Sequence, residues 1–286
     1  MSFYFAALLL ALALVTLGLG IFISMRIFSI PDITTDGSYT LGAAVTAALI
    51  ANNVSLFIVL PCVLMAGALA GATTGFIHTR LKVNALLSGI LVMTALYSVN
   101  LSIMGRSNIP LIGVKTIFNS VSFSLSDANT QFLMLALFVV LFSTLLIWLL
   151  KTDFGIAMRA TGNGENMVRA QGVNSEKMKI IGLSISNSLV ALSGFLVAQL
   201  QGFADINMGI GIVILGLGAV MIGETVMQWL GKNSIALRIV GVIAGTIVFR
   251  FILALTLSLG VNPTLLKLVT AVFVLIVVAL PGLKKT

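Results

Sequence analysis

Eight runs of apolar residues divide the chain, covering 3–25, 55–78, 83–104, 131–150, 179–202, 207–227, 235–258 and 264–283. Each meets or approaches the about 20 residues needed to cross a hydrocarbon core. In lipid every backbone N–H and C=O must find its partner inside the protein, so such runs fold as α-helices packed into a bundle. A ninth segment, from about Ser38 to Ala51, is short and rich in Gly, Ala and Thr. It follows Pro31 and the polar run Asp32, Thr34, Thr35, Asp36 and Gly37, and reads as a broken or re-entrant helix that protein or a water-filled path must surround. The expected fold is therefore all-α, a polytopic transmembrane helical bundle of 8–9 spans, with residues 1–286 as a single transmembrane domain.

Composition excludes most alternatives. Charged residues make up 8% of the chain, hydrophobic residues 59%, and the mean hydropathy is +1.17. Soluble domains carry roughly a quarter charged residues, so this chain cannot cover a water-facing surface. One His (His78), one Cys (Cys62) and eight carboxylates leave no dedicated zinc site, no His-dependent triad and no disulfide. No catalytic residue, metal site or cofactor is expected. The net charge of +8 does not point to nucleic acid, because the basic residues lie in short clusters between apolar runs.

Those clusters set the orientation. With nine crossings, the segments near Arg26, near Arg80 and Lys82, from Lys151 to Lys179, near Lys232 and Arg238, and at Lys284 and Lys285 share one side and hold 12 of the 16 basic residues. Arg106 and Lys115 lie opposite, and Arg250 and Lys267 fall inside or at the end of spans. The richer side is cytoplasmic, and so is the C-terminus. If 38–51 dips in and returns, only the N-terminus changes side. The first run lacks a basic n-region and a small-residue cleavage site before Arg26, so it reads as a membrane helix and not as a cleaved signal.

Two loops are long. The cytoplasmic loop 151–179 contains a short helix candidate from Glu165 to Gln171, with Asn163 as its cap, Glu165 at the positive end of its dipole and Gly172 as its stop. Met167, Val168 and Ala170 are apolar knobs that a merely solvated turn does not need, and they favour a docking helix for a cytoplasmic partner. The opposite loop, 105–130, alternates apolar and polar residues from Ile117 to Leu125. That pattern suits a surface strand or an amphipathic helix, and the loop is a candidate face for an extracytoplasmic partner or a simple spacer.

Gly67, Gly71 and Gly75 form a doubled GxxxG run, repeated by Gly241 and Gly245, which lets neighbouring helices approach closely. Gly209, Gly211, Gly216, Gly218 and Gly223 lack the order and the context of a dinucleotide site. Polar groups inside membrane segments are functional candidates by default. Asn84, Ser88, Thr94, Tyr97 and Asn100 share one segment, and Ser184, Ser186, Asn187, Ser188, Ser193, Gln199 and Gln201 another. Amides and hydroxyls with few charges suit a path for a polar or zwitterionic solute better than a proton relay. Ser38, Thr40, Asn84, Ser88, Tyr97, Asn100 and Asn187 are the candidate path residues. Arg250 reads as snorkelling or paired with a carboxylate.

Three stretches carry a resemblance: IPDITTDGSYTLGAAV (Ile30 to Val45), RATGNGENMVRAQGVN (Arg159 to Asn174) and GIVILGLGAVMIGE (Gly211 to Glu224). Together they make the chain similar to bacterial ABC-importer permeases of the branched-chain amino acid and ribose class, and within it to the branch of tryptophan or tyrosine transport permeases. The resemblance implies a multi-pass subunit of the bacterial inner membrane, working as a homodimer among membrane lipid with cytoplasmic ATPase subunits and an extracytoplasmic solute-binding protein. It also implies a coupling helix in the loop matching Glu165 to Gly172, so that Gly162, Asn163, Gly164, Glu165, Asn166, Met167, Arg169, Ala170 and Gly172 become the candidate contacts with the ATPase, although the EAAxxxG spacing of other importers is absent. Independently, no GxxxxGK[ST] run exists in the chain, so ATP phosphates are not held here and energy comes from a partner or an ion gradient. An ion-coupled secondary transporter is the competing class. It calls for buried carboxylates or His on discontinuous helices and an inverted repeat, whereas Asp36, Asp205 and Glu224 lie near segment ends.

Overall fold

Helix α1, Phe3–Ile21, carries no charged residue, and a helix apolar on every side has to be enclosed by other helices. Every residue from Ala11 to Ile21 is buried, and the helix runs on without a break into a π-helical turn, Phe22–Ile27. The computed structural model describes residues 3–120, 127–229, 234–262 and 265–283. After α1 come α2 (Thr34–Ala51), α3 (Leu56–Thr79), α4 (Ala85–Met104), the short strand β1 (Asn108–Pro110), α5 (Ile117–Ser120) and α6 (Asp127–Lys151). The second half holds α7 (Asp153–Asn163), α8 (Glu165–Ala170), α9 (Ser175–Gln201), strand β2 (Phe203–Asp205), α10 (Ile212–Trp229), α11 (Ile235–Ser258) and α12 (Leu266–Leu283).

Among the described residues, six helices are long and apolar enough to cross a membrane: α1 with its π-helical extension, α3, α4, α6, α9 and α11. Helices α10 and α12 are apolar but shorter over their described residues. The segment expected to be broken from Ser38 is instead one continuous helix beginning four residues earlier, at Thr34. Its 18 residues give a length of about 27 Å. Its Thr and Gly content does not interrupt it, because the helix is largely enclosed and Thr40 and Thr46 return their hydroxyls to carbonyls four residues back, those of Asp36 and Gly42. The apolar run at 207–227 is shortened at its start, since residues 206–211 form turns ahead of α10.

Helices α1, α2 and α3 gather around α9, and small residues set how closely they approach. A β-carbon at Gly67 of α3 would lie 2.5 Å from the Asn187 carbonyl oxygen, and one at Gly75 would lie 2.8 Å from the Ile180 Cα. Between them, Gly71 faces the Leu183 carbonyl with no room for a side chain. Gly42 of α2 and Gly194 of α9 are packed in the same way, against Ala191 and Tyr39. Gly223 of α10 meets Gly241 of α11, and Gly245 of α11 meets Ala219 of α10. Hydroxyls reinforce these contacts: Ser186 donates to the Gly20 carbonyl at 2.7 Å, Ser193 to Ala13 at 2.8 Å, and Ser188 to Leu64 at 2.8 Å.

The order of contacts gives each helix its direction. Along α9, Leu183 meets Gly71 and Asn187 meets Gly67, so α3 runs antiparallel to it. Ser186 meets Gly20 and Ser193 meets Ala13, so α1 does the same. Asn187 meets Ser38 and Ala191 meets Gly42, so α2 runs parallel to α9. At the far end from α8, β1 and β2 pair antiparallel, with Asn108 opposite Asp205 and Pro110 opposite Phe203. In the stretch Ile117 to Leu125, α5 accounts for the first four residues and residues 121–126 lie outside the described residues. The backbone N–H of Ile117 donates to the Gln199 side chain, tying this loop to α9.

Valine at Gly71 must push two backbones apart, a change that costs about 1–3 kcal/mol or more in packed cores. Gly71→Val is therefore expected to lower the melting temperature of the detergent-solubilised chain, whereas Leu69→Val, on the exposed side of the same helix, leaves it unchanged. Equal melting of the two variants would contradict the close α3–α9 packing.

Candidate functional site

The chain between the π-helical turn and α2 brings a carboxylate into the centre of the bundle. Asp32 is 4% exposed, and Pro31 precedes it in a stretch that does not enter α2 until Thr34. One of its oxygens, Oδ1, accepts the Thr34 N–H at 2.9 Å, one of the otherwise unpaired donors of the first turn of α2. The other, Oδ2, accepts from Nδ2 of Asn187 on α9 at 2.7 Å. The Asn187 Oδ1 in turn accepts the Ser38 hydroxyl at 2.7 Å, while its Nδ2 also donates to the Leu183 carbonyl at 3.0 Å. Thr34 and Thr74 share a hydroxyl–hydroxyl bond of 2.7 Å, which adds α3. Asp32, Thr34, Ser38, Thr74 and Asn187 thus cross-link three helices. Of these, sequence reasoning singled out only Ser38 and Asn187. The signal for Asp32 was an Asp two residues ahead of a helix start, a position where acidic side chains satisfy first-turn N–H groups.

Asp36 performs a similar task one turn later. Its Oδ2 accepts the Gly211 N–H at 2.8 Å and its Oδ1 the Val213 N–H at 2.9 Å, so the carboxylate of α2 caps the start of α10. Gly209 packs against the Asp36 carbonyl, close beside Thr40.

The candidate path residues are not gathered on one surface. Ser38 and Asn187 bond to each other in the enclosed α2–α9 contact, and Thr40, also buried, lies beside Gly209. Ser88, Val92, Leu96, Asn100 and Met104 form the buried stripe of α4, where Asn100 donates to the Gly37 carbonyl at 3.2 Å and Ser88 returns its hydroxyl to Asn84 of its own helix. Asn84 does not line the interior. It is the exposed N-cap of α4, its side chain accepting the Leu86 N–H at 2.9 Å. Tyr97 points outward and is 49% exposed, in company with Thr94, Ser98 and Ser102. The outer face of α4 thus carries four hydroxyl side chains among the exposed Leu86, Leu87, Ile90, Leu91, Val99, Leu101 and Ile103. Thr94 and Ser102 satisfy their hydroxyls on carbonyls of their own helix, those of Ile90 and Ser98.

The loop after α6 forms two helices in succession. Helix α7 starts at the Thr152 cap, whose hydroxyl accepts the Gly155 N–H, and buries Gly155, Met158 and Thr161. Asn163 ends α7 and does not cap α8. The cap position belongs to Gly164, without a side-chain bond, because α7 extends to residue 163 and leaves a one-residue corner. Helix α8 buries Val168 and exposes Asn166, Met167 and Ala170, with Met167 71% exposed. Gly172 follows in the left-handed region at φ 83°, a conformation that favours glycine past a helix end.

Glu165 and Arg169 turn back toward the bundle. Glu165 accepts from Lys179 of α9 at 2.6 Å, from Arg169 at 2.7 Å and from Ser175 at 3.0 Å, and Arg169 Nε also donates to Ser175 at 2.6 Å. The hydrogen bond from the Lys179 ammonium is the main reason that the Glu165 carboxyl is held below its ordinary value. Ser175 and the Arg169 charge add to this, and partial desolvation opposes it. Behind α8, Gly162 packs against the Ile27 carbonyl and Gly182 against the Phe28 ring, so α7 and α9 both touch the segment that leads to Asp32. Nearby, Glu224 of α10, itself buried, pairs with Arg26 at 2.6 Å and lies 3.7 Å from Arg238 of α11.

Among the described residues no group of His, Cys, Asp and Glu is arranged to hold a metal ion. Residues 3–279 match the family described as the permease component of the branched-chain amino acid transport system. A tyrosine transport system permease protein of Clostridioides difficile (strain R20291) is 40% identical over 265 residues, 93% of this chain and 86% of that protein. A ribose import permease protein of Escherichia coli (strain K12) is 26% identical over 262 residues, covering 89% and 78% of the two chains. The fold is similar to that of a metal-chelate type ABC transporter in an inward-facing conformation, with a TM-score of 0.53 at 14% identity over 99% of this chain and 85% of the other. A chain of apolar helices with these relatives is a transport component and not an enzyme. It belongs to the branched-chain amino acid transport permease family, as a multi-pass membrane subunit of an ABC importer.

Proposed function

We propose that this chain is the homodimeric membrane subunit of an importer for an aromatic amino acid. The solute would be delivered by an extracytoplasmic binding protein and moved by two cytoplasmic ATPase subunits. The observation that carries the reading is α8: a six-residue helix at the cytoplasmic end of the bundle, with Met167 outermost, braced from behind by Glu165, Arg169, Ser175 and Lys179. A braced helix with an exposed apolar knob can receive a push from a partner without folding away. Asn166, Met167 and Ala170 are the contacts with the ATPase, while Glu165 and Arg169 hold the helix in place. Aromatic amino acid is the solute suggested by the tyrosine transport relative.

The parallel course of α2 and α9 supports nine crossings, with the N-terminus outside and the C-terminus cytoplasmic, because a segment that dips and returns would not follow α9 in one direction. The translocation path runs between two copies, along the outward face of α4. The hydroxyls of Thr94 and Ser102 are satisfied within the helix, and the exposed Tyr97 and Ser98 suit a water-filled seam. Ser38, Asn100 and Asn187 support that wall from behind.

In proteoliposomes holding the assembled transporter, tyrosine presented by the binding protein should stimulate ATP hydrolysis and ribose should not. Met167→Asp should reduce that stimulation about tenfold, the effect of losing about 1.4 kcal/mol at the contact, with assembly in the membrane unchanged. Retained stimulation would remove α8 from the coupling role, and stimulation by ribose would overturn the solute assignment.

In a Cys62→Ala background, Tyr97→Cys should react with a small membrane-impermeant thiol reagent, whereas Leu137→Cys, on the exposed apolar face of α6, should not. Equal protection of both would show that the α4 face meets lipid.

Acid should loosen α8. Because the Glu165 carboxyl is depressed in the folded chain, the brace contributes fully above the ordinary value of 4.5 and is lost as pH falls through the lower folded value. Hydrogen exchange of α8 amides, corrected for intrinsic rates, should accelerate across that range in the wild type. Glu165→Gln should show the faster exchange already at neutral pH.

A further inference from the structure

A cavity of about 310 Å³ lies between α1, the start of α10, α11 and the start of α12. Its walls are mainly apolar, Phe3, Leu10 and Ile212 among them, yet Arg250 and Lys267 both line it. The Nε of Arg250 is closed off from solvent without a hydrogen-bond partner. Among the described residues neither Arg250 nor Lys267 takes part in an ion pair. Asp36, next to the lining residue Gly211, bonds the N–H groups of Gly211 and Val213 and lies within electrostatic reach of Lys267, while Tyr39 lies within such reach of Arg250. Two cations thus border an apolar cavity near the helix ends, with the Arg250 Nε enclosed and unpartnered, an arrangement that an anion would complete.

We propose that this cavity binds an anionic phospholipid, with its phosphate held by Arg250 and Lys267 and an acyl chain laid along Phe3, Leu10 and Ile212. Basic pockets between membrane helices select anionic headgroups in this way. The apolar walls decide between sources of phosphate: a free anion would leave them uncovered, whereas a lipid covers them with hydrocarbon. Phe3 and Ile210 at the edge are half exposed or more, which leaves the cavity open to the bilayer. The site lies at the ends of the helices away from α7 and α8, in the leaflet opposite the coupling segment. The proposal is independent of which solute is transported.

The test uses the full chain purified in a neutral detergent, with thermal melting measured against dioleoyl phosphatidylglycerol, dioleoyl phosphatidylcholine and inorganic phosphate. Phosphatidylglycerol near hundredfold saturation should raise the melting temperature by about 5 °C, while phosphatidylcholine and phosphate leave it unchanged. The double variant Arg250→Gln, Lys267→Gln should lose the shift. Where that variant does not fold, Ala7→Phe fills the cavity with both cations retained and should lose the shift as well. Equal shifts with the two lipids, a shift with phosphate alone, or a phosphatidylglycerol shift surviving in the folded variant would each overturn the proposal.

Discussion

A carboxylate buried at the centre of a membrane bundle is tolerable only when its oxygens are satisfied, and Asp32 meets that condition by joining two elements that would otherwise be independent. Its bond to Thr34 N–H starts α2, and its bond to Asn187 fixes where along α9 that start must sit. Removing Asn187 would leave a buried carboxyl oxygen without its hydrogen-bond partner, which costs the full desolvation penalty of that group. The register of α2 on α9 follows: Ser38 reaches Asn187, and Gly42 arrives at Ala191 where only glycine fits. Asp36, carried on the same helix, then sets the first turn of α10. One polar node therefore positions elements from both halves of the sequence.

The parts legible in the sequence were those governed by length and small-residue spacing. The apolar run at 235–258 coincides with α11, whose start Ser234 caps. Gly67, Gly71 and Gly75 sit on one face by periodicity alone, and the structure puts that face on α9. What hydropathy could not reveal was a helix held by its neighbours. Thr34, Thr35, Asp36 and Gly37 look like a break, and they become the first turn of α2 because Asp32, Asn187 and Thr74 satisfy the polar groups that lipid would reject. Asn84 and Asn163 sit at helix ends that a one-dimensional pattern does not mark, one as the cap of α4 and the other as the final residue of α7, where it cannot cap α8.

Charge pairing was equally hidden, since partners such as Arg26 and Glu224 lie far apart in the chain. The same holds for Glu165 and Lys179, which are separated by a turn and a cap. In α8, Glu165 and Arg169 bond to each other and to Ser175 at the start of α9, Arg169 remaining exposed like Met167.

These bonds bear on how a displacement of α8 would travel. The helix is fastened to α9 through Glu165 and Lys179, and α7 is pressed on Ile27 through Gly162, with a backbone carbonyl where a side chain would stand. Contacts of backbone on backbone cannot be relieved by a change of rotamer, so a shift of α7 must be passed to Ile27 and Phe28 or resisted by them. Phe28 is itself wedged against Gly182, and four residues later the chain is pinned at Asp32. The stretch from Phe28 to Asp32 links the Gly162 and Gly182 contacts to the node that starts α2, a node that Asn187 also joins through α9, and α2 meets α4 through Gly37 and Asn100. A shift of α7 or α8 thus meets close-packed elements all the way to α2 and α4.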